Sequence, residues 1–270
     1  MLKDITIGQY IPGDTPVHNL DPRVKIIITF IFIASLFFID KFFAYIFVLG
    51  FITMAVMLSK IEFKYLFRGL KPLLAIIVLT VLLNIFMTEG EIIYRFWKFK
   101  VTKEGLVQAG FMALRLIFLI TGASLLTLTT SPISLTDGIE KLLNPLRKIG
   151  VPAHELAMMM TIALRFIPTL LEETDKIMKA QMARGADFET GNIINRAKAM
   201  IPLLVPLFIS AFRRADELAL AMEARCYRGG ENRTRMKQLK LKPVDFGAII
   251  ITSGFFGLIL WSRYFYVSIH

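Results

Sequence analysis

One cysteine, Cys226, stands in a chain of 270 residues. No intrachain disulfide can form, and a metal site built on several thiolates is excluded. The three histidines, His18, His154 and His270, lie too far apart in sequence to make a ligand motif. Acidic residues are also scarce: 21 Asp and Glu stand against 32 Lys and Arg, a net charge of +11. The sequence has no Gly-x-x-x-x-Gly-Lys-Ser/Thr stretch and so no phosphate-cradling loop of its own. Residues 1–23 hold Asp4, Asp14 and Asp21 among prolines and carry no apolar stretch, so they do not read as a signal peptide.

Apolar side chains are present in excess. The chain is 55% hydrophobic, with 23 Phe, where soluble domains run nearer ~45–50%. A bilayer accommodates such surface; a soluble core of this size does not. The positive charge falls between apolar runs, where Lys and Arg mark the cytoplasmic membrane surface, so no nucleic-acid partner is expected.

The runs are Val24–Ile39, Phe42–Leu58, Pro72–Met87, Leu106–Thr129 and Phe246–Trp261. The first two are a little short of the ~20 residues that span hydrocarbon, and snorkelling Lys25, Lys41 and Lys60 are expected to extend them. Residues 88–105 are polar and predict an external loop or short hairpin. Arg115 lies inside the fourth run and needs a partner; Asn84 of the third is the expected one, in a structural role.

From Ser131 to Pro243 polar residues recur at helical spacing. Ser134 or Thr136 is expected to cap a helix running to Lys148 and stopped by Gly150. Pro152 opens a pattern reaching Ala183, and Asn192 or Asn195 starts another ending near Tyr227. Pro168, Pro202 and Pro206 favour bends within these two. The densest basic charge is here, including Arg184, Arg213, Arg214, Arg225, Arg228, Arg233, Arg235 and Lys237. The expectation is an all-α integral membrane protein with about five transmembrane helices and a cytoplasmic domain of long amphipathic helices. Residues 1–130 hold the N-terminal segment and four spans, 131–243 the cytoplasmic helices, and 244–270 the last span. The positive-inside rule makes this a multi-pass cell-membrane protein with its N-terminus and helical insert in the cytoplasm.

Two segments of the insert are alike. Lys179-Ala-Gln-Met-Ala-Arg-Gly185 and Leu220-Ala-Met-Glu-Ala-Arg-Cys226 each end a helical pattern in Ala-Arg and a small residue. An arginine among small neighbours at a helix C-terminus is unobstructed and can fork onto a carboxylate of another protein. A bland reading is available for either copy alone: a basic last turn followed by a C-cap. Two copies argue against it.

With Leu20-Asp-Pro-Arg-Val-Lys25 before the first span, Leu164-Arg-Phe-Ile-Pro168 in the insert, the two arginine segments and the span order, the chain resembles the transmembrane T component of energy-coupling factor transporters, importers of the ABC class. The second tip reads Ala-Arg-Cys where that family commonly has Ala-Arg-Gly. The resemblance implies a coupling subunit, not an enzyme. Ala183, Arg184 and Gly185 would contact one ABC-type ATPase subunit, and Ala224, Arg225 and Cys226 a second. It implies a small membrane substrate-binding subunit that captures vitamins or related micronutrients. Met158, Met159, Met160, Met178 and Met182 would meet that subunit, their flexible thioethers suiting interchangeable partners. This chain would bind no cofactor, while ATP and Mg2+ would sit on the ATPases. Two other readings are a stand-alone channel or secondary carrier, which needs polar residues lining a bundle interior, and a T component dedicated to cobalt, nickel or biotin.

Overall fold

The structure, a computed structural model, describes residues 10–96, 99–186, 188, 193–230 and 239–267. Among these, nearly all regular structure is helical: α1 (Pro22–Phe37), α2 (Ala44–Ser59), α3 (Phe63–Leu70), α4 (Leu74–Met87), α5 (Lys103–Thr129), α6 (Pro132–Leu143), α7 (Ala153–Ala183), α8 (Ile193–Ala224) and α9 (Pro243–Val267). A two-stranded antiparallel hairpin, β1 (Ile92–Phe96) and β2 (Phe99–Thr102), occupies the expected external loop. This is an all-α membrane protein. The chain divides into two compact units, one holding Gly8–Gly138 with Gln238–His270 and the other Ile139–Lys237.

In the first unit, α1, α2, α5 and α9 pack around one apolar cluster. Phe32, Leu36, Val48, Phe118, Phe255 and Ile259 are buried in it. Phe51 stacks on Phe255 with ring centroids 4.5 Å apart, and Phe32 joins from α1 at 5.7 Å from Phe51. Between spans the lipid is as apolar as the core, so this packing works through van der Waals contact rather than water exclusion.

The bundle is tied at one end by polar side chains of the Leu20–Lys25 motif. Asp21 caps α1, its carboxylate accepting from the Arg23 backbone N–H (2.9 Å) and from the Arg23 guanidinium (3.1 and 3.0 Å). Pro22 follows at the first helical position, where its missing N–H costs nothing. The Asp21 backbone N–H donates to Asp245 of α9 at 2.8 Å, and the other Asp245 oxygen accepts from the Lys242 backbone N–H at 2.6 Å. Arg23 also donates to the Leu239 carbonyl (3.1 Å). Lys25 does not snorkel outward as the sequence suggests. It turns inward, and its ammonium donates to the His18 carbonyl (3.0 Å), the Thr129 carbonyl (2.8 Å) and the Thr130 hydroxyl (3.3 Å). These acceptors, two of them at the end of α5, outcompete the membrane surface because together they satisfy all three of its protons.

Four helical stretches are long and apolar enough to cross a membrane among the described residues: Phe63–Met87, Lys103–Thr129, Ala153–Ala183 and Pro243–Ser262. The first joins α3 to α4 through a 3-10 turn at Lys71–Leu73, with Pro72 inside it. The sequence puts the third, α7, in the cytoplasm. Its charges gather after Leu171, at Glu172, Glu173, Asp175, Lys176 and Lys179, which leaves Leu156–Leu171 with Arg165 as its one charge. Helices α1 and α2 have 16 residues each, about 24 Å of rise.

Some boundaries differ from expectation. The Ser131 hydroxyl, not Ser134 or Thr136, accepts from a first-turn N–H of α6, that of Ser134 (3.2 Å). Thr136 instead donates back to the Pro132 carbonyl (2.9 Å). Helix α6 stops at Leu143, just before Pro145, which has no N–H to continue the α-helical ladder. A 3-10 turn then runs through Asn144–Ile149 to Gly150 at φ +93°. Pro168, Pro202 and Pro206 lie inside helices that continue through them. Arg115 and Asn84 do not meet: Arg115 donates to the Ile39 carbonyl (3.2 Å) and lies over the Phe37 ring (5.6 Å), while Asn84 donates to Thr80 one turn back (2.8 Å). A carbonyl freed at the end of α1 is the stronger acceptor. Asn192, Arg233, Arg235 and Lys237 lie outside the described residues.

Candidate functional site: two arginine-tipped helix ends

The second unit is built on α7 and α8. They run antiparallel, since Glu173 bonds Ser210 and Arg214 while Gly230, just past α8, lies against His154 at the start of α7. The Glu173 carboxylate holds Arg214 at 2.7 Å. His154 is fixed in turn by Glu140 of α6, with Nδ1 3.1 Å from the carboxylate.

Both helices end in one and the same hydrogen-bonded cap. At the end of α7 the Gly185 N–H reaches the Met182 carbonyl and the Ala186 N–H the Gln181 carbonyl, each at 3.0 Å. At the end of α8 the Cys226 N–H reaches the Glu223 carbonyl (2.8 Å) and the Tyr227 N–H the Met222 carbonyl (3.0 Å). Both are Schellman caps, which satisfy carbonyls orphaned by the end of a helix. Each needs a left-handed residue after the arginine, met by Gly185 at φ +88° and Cys226 at φ +56°. Cysteine therefore takes the glycine conformation at the second tip, at about 1 kcal/mol of backbone strain.

The cap decides what the arginine can do. Its backbone closes the helix, so its side chain leaves the axis at the end, flanked by Ala183 and Gly185 at one tip and Ala224 and Cys226 at the other. Arg184 and Arg225 are both exposed, and neither guanidinium makes a hydrogen bond or ion pair among the described residues. The antiparallel arrangement sends the two tips to opposite ends of the pair. A helix of 31 residues separates them by about 46 Å.

The backbone strain makes a prediction. Cys226→Gly strengthens its cap by about 1 kcal/mol, and Gly185→Ala weakens the other by about 1–2 kcal/mol. No atom lies within 4 Å of the Cβ that Gly185→Ala adds, so the loss is conformational alone. Amide exchange should quicken at Ala186 in Gly185→Ala and slow at Tyr227 in Cys226→Gly, since these N–H groups close the two caps. Unchanged exchange in both variants would contradict the cap assignment.

The methionines do not form one patch. Met158, Met159 and Met160 sit near the start of α7 and Met178 and Met182 near its end, with Met159 and Met182 exposed and the others half-buried. Met160 and Met178 share a face, being about five turns apart. The larger apolar surface is on α8, where Ile201, Leu204, Val205, Phe208, Ile209 and Phe212 are all exposed. Their spacing at i, i+3, i+4 and i+7 is the signal of one helix face, readable in the sequence.

Comparison with known proteins places these features in context. The family model described as "CbiQ: Cobalt transport protein" matches residues 13–236, a span holding both tips. The "Energy-coupling factor transporter transmembrane protein EcfT" of Clostridium kluyveri is 62% identical over 270 residues, covering 97% of this chain and 100% of that protein. The protein of the same name from Thermosediminibacter oceani is 65% identical over 251 residues, 93% of this chain and 95% of that one. The one from Bacillus subtilis is 53% identical over 252 residues, again 93% and 95%.

Proposed function

The chain belongs to the CbiQ family of transporter components, together with the EcfT transmembrane proteins, and on that premise we propose that it is the coupling subunit of an ATP-driven micronutrient importer. Two ABC-type ATPase subunits burn ATP with Mg2+ on the cytoplasmic side, one seated on Arg184 and one on Arg225. A separate small membrane subunit captures the vitamin or related substrate. This chain carries the movement of the first pair to the second.

The observation that supports the reading is the pair of matched caps, about 46 Å apart, whose exposed guanidinium groups have no partner among the described residues. One small groove cannot reach both, whereas two like partners can each take one. Both tips also have to face the same aqueous side. A membrane-spanning α7 would send Arg184 and Arg225 to opposite sides, so the α7–α8 pair lies along the cytoplasmic surface of the bilayer. Its exposed apolar face on α8 is then available to lipid and to the substrate-binding subunit.

A stand-alone carrier is disfavoured by how the polar groups of the spans are used. Thr80, Asn84 and Thr121 donate to carbonyls one turn back in their own helices, and Arg115 is held by Ile39.

Affinity capture of the full chain from mild detergent tests the proposal. Wild type should bring down both ATPase subunits, and the Arg184→Ala, Arg225→Ala double variant neither. Undiminished ATPase recovery with the double variant would overturn it. The same captures separate a shared module from a component dedicated to cobalt, nickel or biotin: several different substrate-binding subunits favour the first, and a single one the second.

A further inference from the structure

A cleft of about 310 Å³ opens inside the first unit, among α1, α2, α5 and α9. Its volume falls within the range of small-ligand pockets, about 300–1,000 Å³. Helix cores are packed to near-crystalline density and seldom leave a void of this size. Among the described residues four lining side chains are polar: Lys25, Thr29, Thr129 and Thr252. Three of these are already committed. The Lys25 ammonium donates to its three acceptors. Thr129 donates to the Leu125 carbonyl and Thr252 to the Ala248 carbonyl, each at 2.8 Å.

The chemistry of the occupant follows. A polar micronutrient would give up its hydration here and find almost no free partner, a loss that polar groups do not tolerate. Water is no better suited, since apolar cavities stay dry and take apolar guests. The back wall, on α1 and α5, is closed by buried Lys25 and Thr129. The side walls are not: Met54 and Leu58 on α2 and Val244 and Ile251 on α9 are exposed. The cleft therefore opens sideways between α2 and α9, two apolar helices of a membrane protein, where acyl chains are the most concentrated apolar groups available. At Gly247 on that wall no atom lies within 4 Å of an added Cβ, so the helix omits a side chain that the space would admit.

We propose that this cleft is a binding site for one acyl chain of a membrane phospholipid, held between α2 and α9 as a stable part of the bundle. The occupant completes the packing that the missing Gly247 side chain leaves open.

Native mass spectrometry of the full chain, released from phosphatidylglycerol–phosphatidylethanolamine nanodiscs into mild detergent, tests this. Wild type should retain one phospholipid per chain. Gly247→Leu fills the cleft and should lower that retention by about tenfold or more. Gly254→Leu, on the same helix, also adds a side chain into open space but away from the cleft, and should retain the lipid. Wild type carrying no phospholipid, or detergent alone, would overturn the proposal, as would equal retention by Gly247→Leu. Should that variant fail to fold, a photo-reactive residue in place of Ile251, which lines the cleft and is exposed at its mouth, decides the matter. Adducts of phospholipid mass support the site, and adducts to a protein partner or none at all refute it.

Discussion

Replacing Arg184 by alanine should lower ATP-driven uptake by about thirtyfold or more, and Arg225→Ala should do the same. The magnitude comes from the partner's side of the contact. A guanidinium forked onto a buried carboxylate leaves that carboxylate unpaired when it is removed, at about 2–5 kcal/mol, and the lower figure is already a factor of about thirty. The two losses should not multiply in transport. Coupling needs a push at both ends of the α7–α8 pair, so either loss alone breaks it. They should combine in binding, where one intact tip keeps its ATPase close and losing both releases the assembly. Lysine should restore little, because an ammonium cannot reproduce the planar two-point fork. Uptake assays in proteoliposomes holding the full complex check this. Full transport by either alanine variant would show that its tip carries no force.

The second large effect lies in the first unit and concerns stability. Asp245 is almost fully buried, and its two oxygens accept from the backbone N–H groups of Asp21 and Lys242. The second contact caps α9 in the manner of a capping box, with the third helical residue reaching back to the N-cap. The first clamps α9 to the start of α1. Asp245→Ala leaves the buried Asp21 N–H without a partner, at about 1–3 kcal/mol, and removes the cap of α9, at about 0.5–2 kcal/mol. A loss of about 2–5 kcal/mol should appear as a drop of several degrees or more in the melting temperature of the detergent-solubilised chain. Asp245→Asn keeps one acceptor oxygen and should fall in between. ATPase capture should survive in both variants below their melting temperatures, because the tips belong to the other unit. A melting temperature unchanged by Asp245→Ala would remove the clasp from this account.

Much of this architecture is legible in the sequence because its signals are local. The Ala-Arg-small repeat marks helix ends, and both helices stop where it says. Pro152 opens α7, and the polar stretch at 88–105 yields a hairpin. What escapes is long-range. Nothing in the spacing of Asp21, Lys25 and Asp245 reveals their partners, since the bonds Asp21–Asp245, Lys25–Thr129 and Lys25–Thr130 each bridge more than a hundred residues. Lys25 reads as a snorkelling flank because the acceptors that hold it, at Thr129 and Thr130, belong to the far end of another helix. Arg115 reads in the sequence as a partner of Asn84, whereas a backbone carbonyl, absent from any pattern of side chains, holds it. Cys226 is a departure in sequence but not in geometry: it accepts the left-handed conformation that its position demands. The length of α7 shows the opposite limit, because apolar content alone would send it across the bilayer. On the proposed function it lies flat instead, because its antiparallel partner leaves an arginine at each end and both must face one side.

The central claim is that two guanidinium groups of this chain seat in two separate ATPase subunits. Photo-cross-linking of the assembled transporter, with a reactive residue in place of Arg184 or of Arg225, measures it most directly. From each position the dominant adduct should join this chain to an ATPase subunit. Adducts confined to lipid, or running from either tip back into this chain, would contradict it.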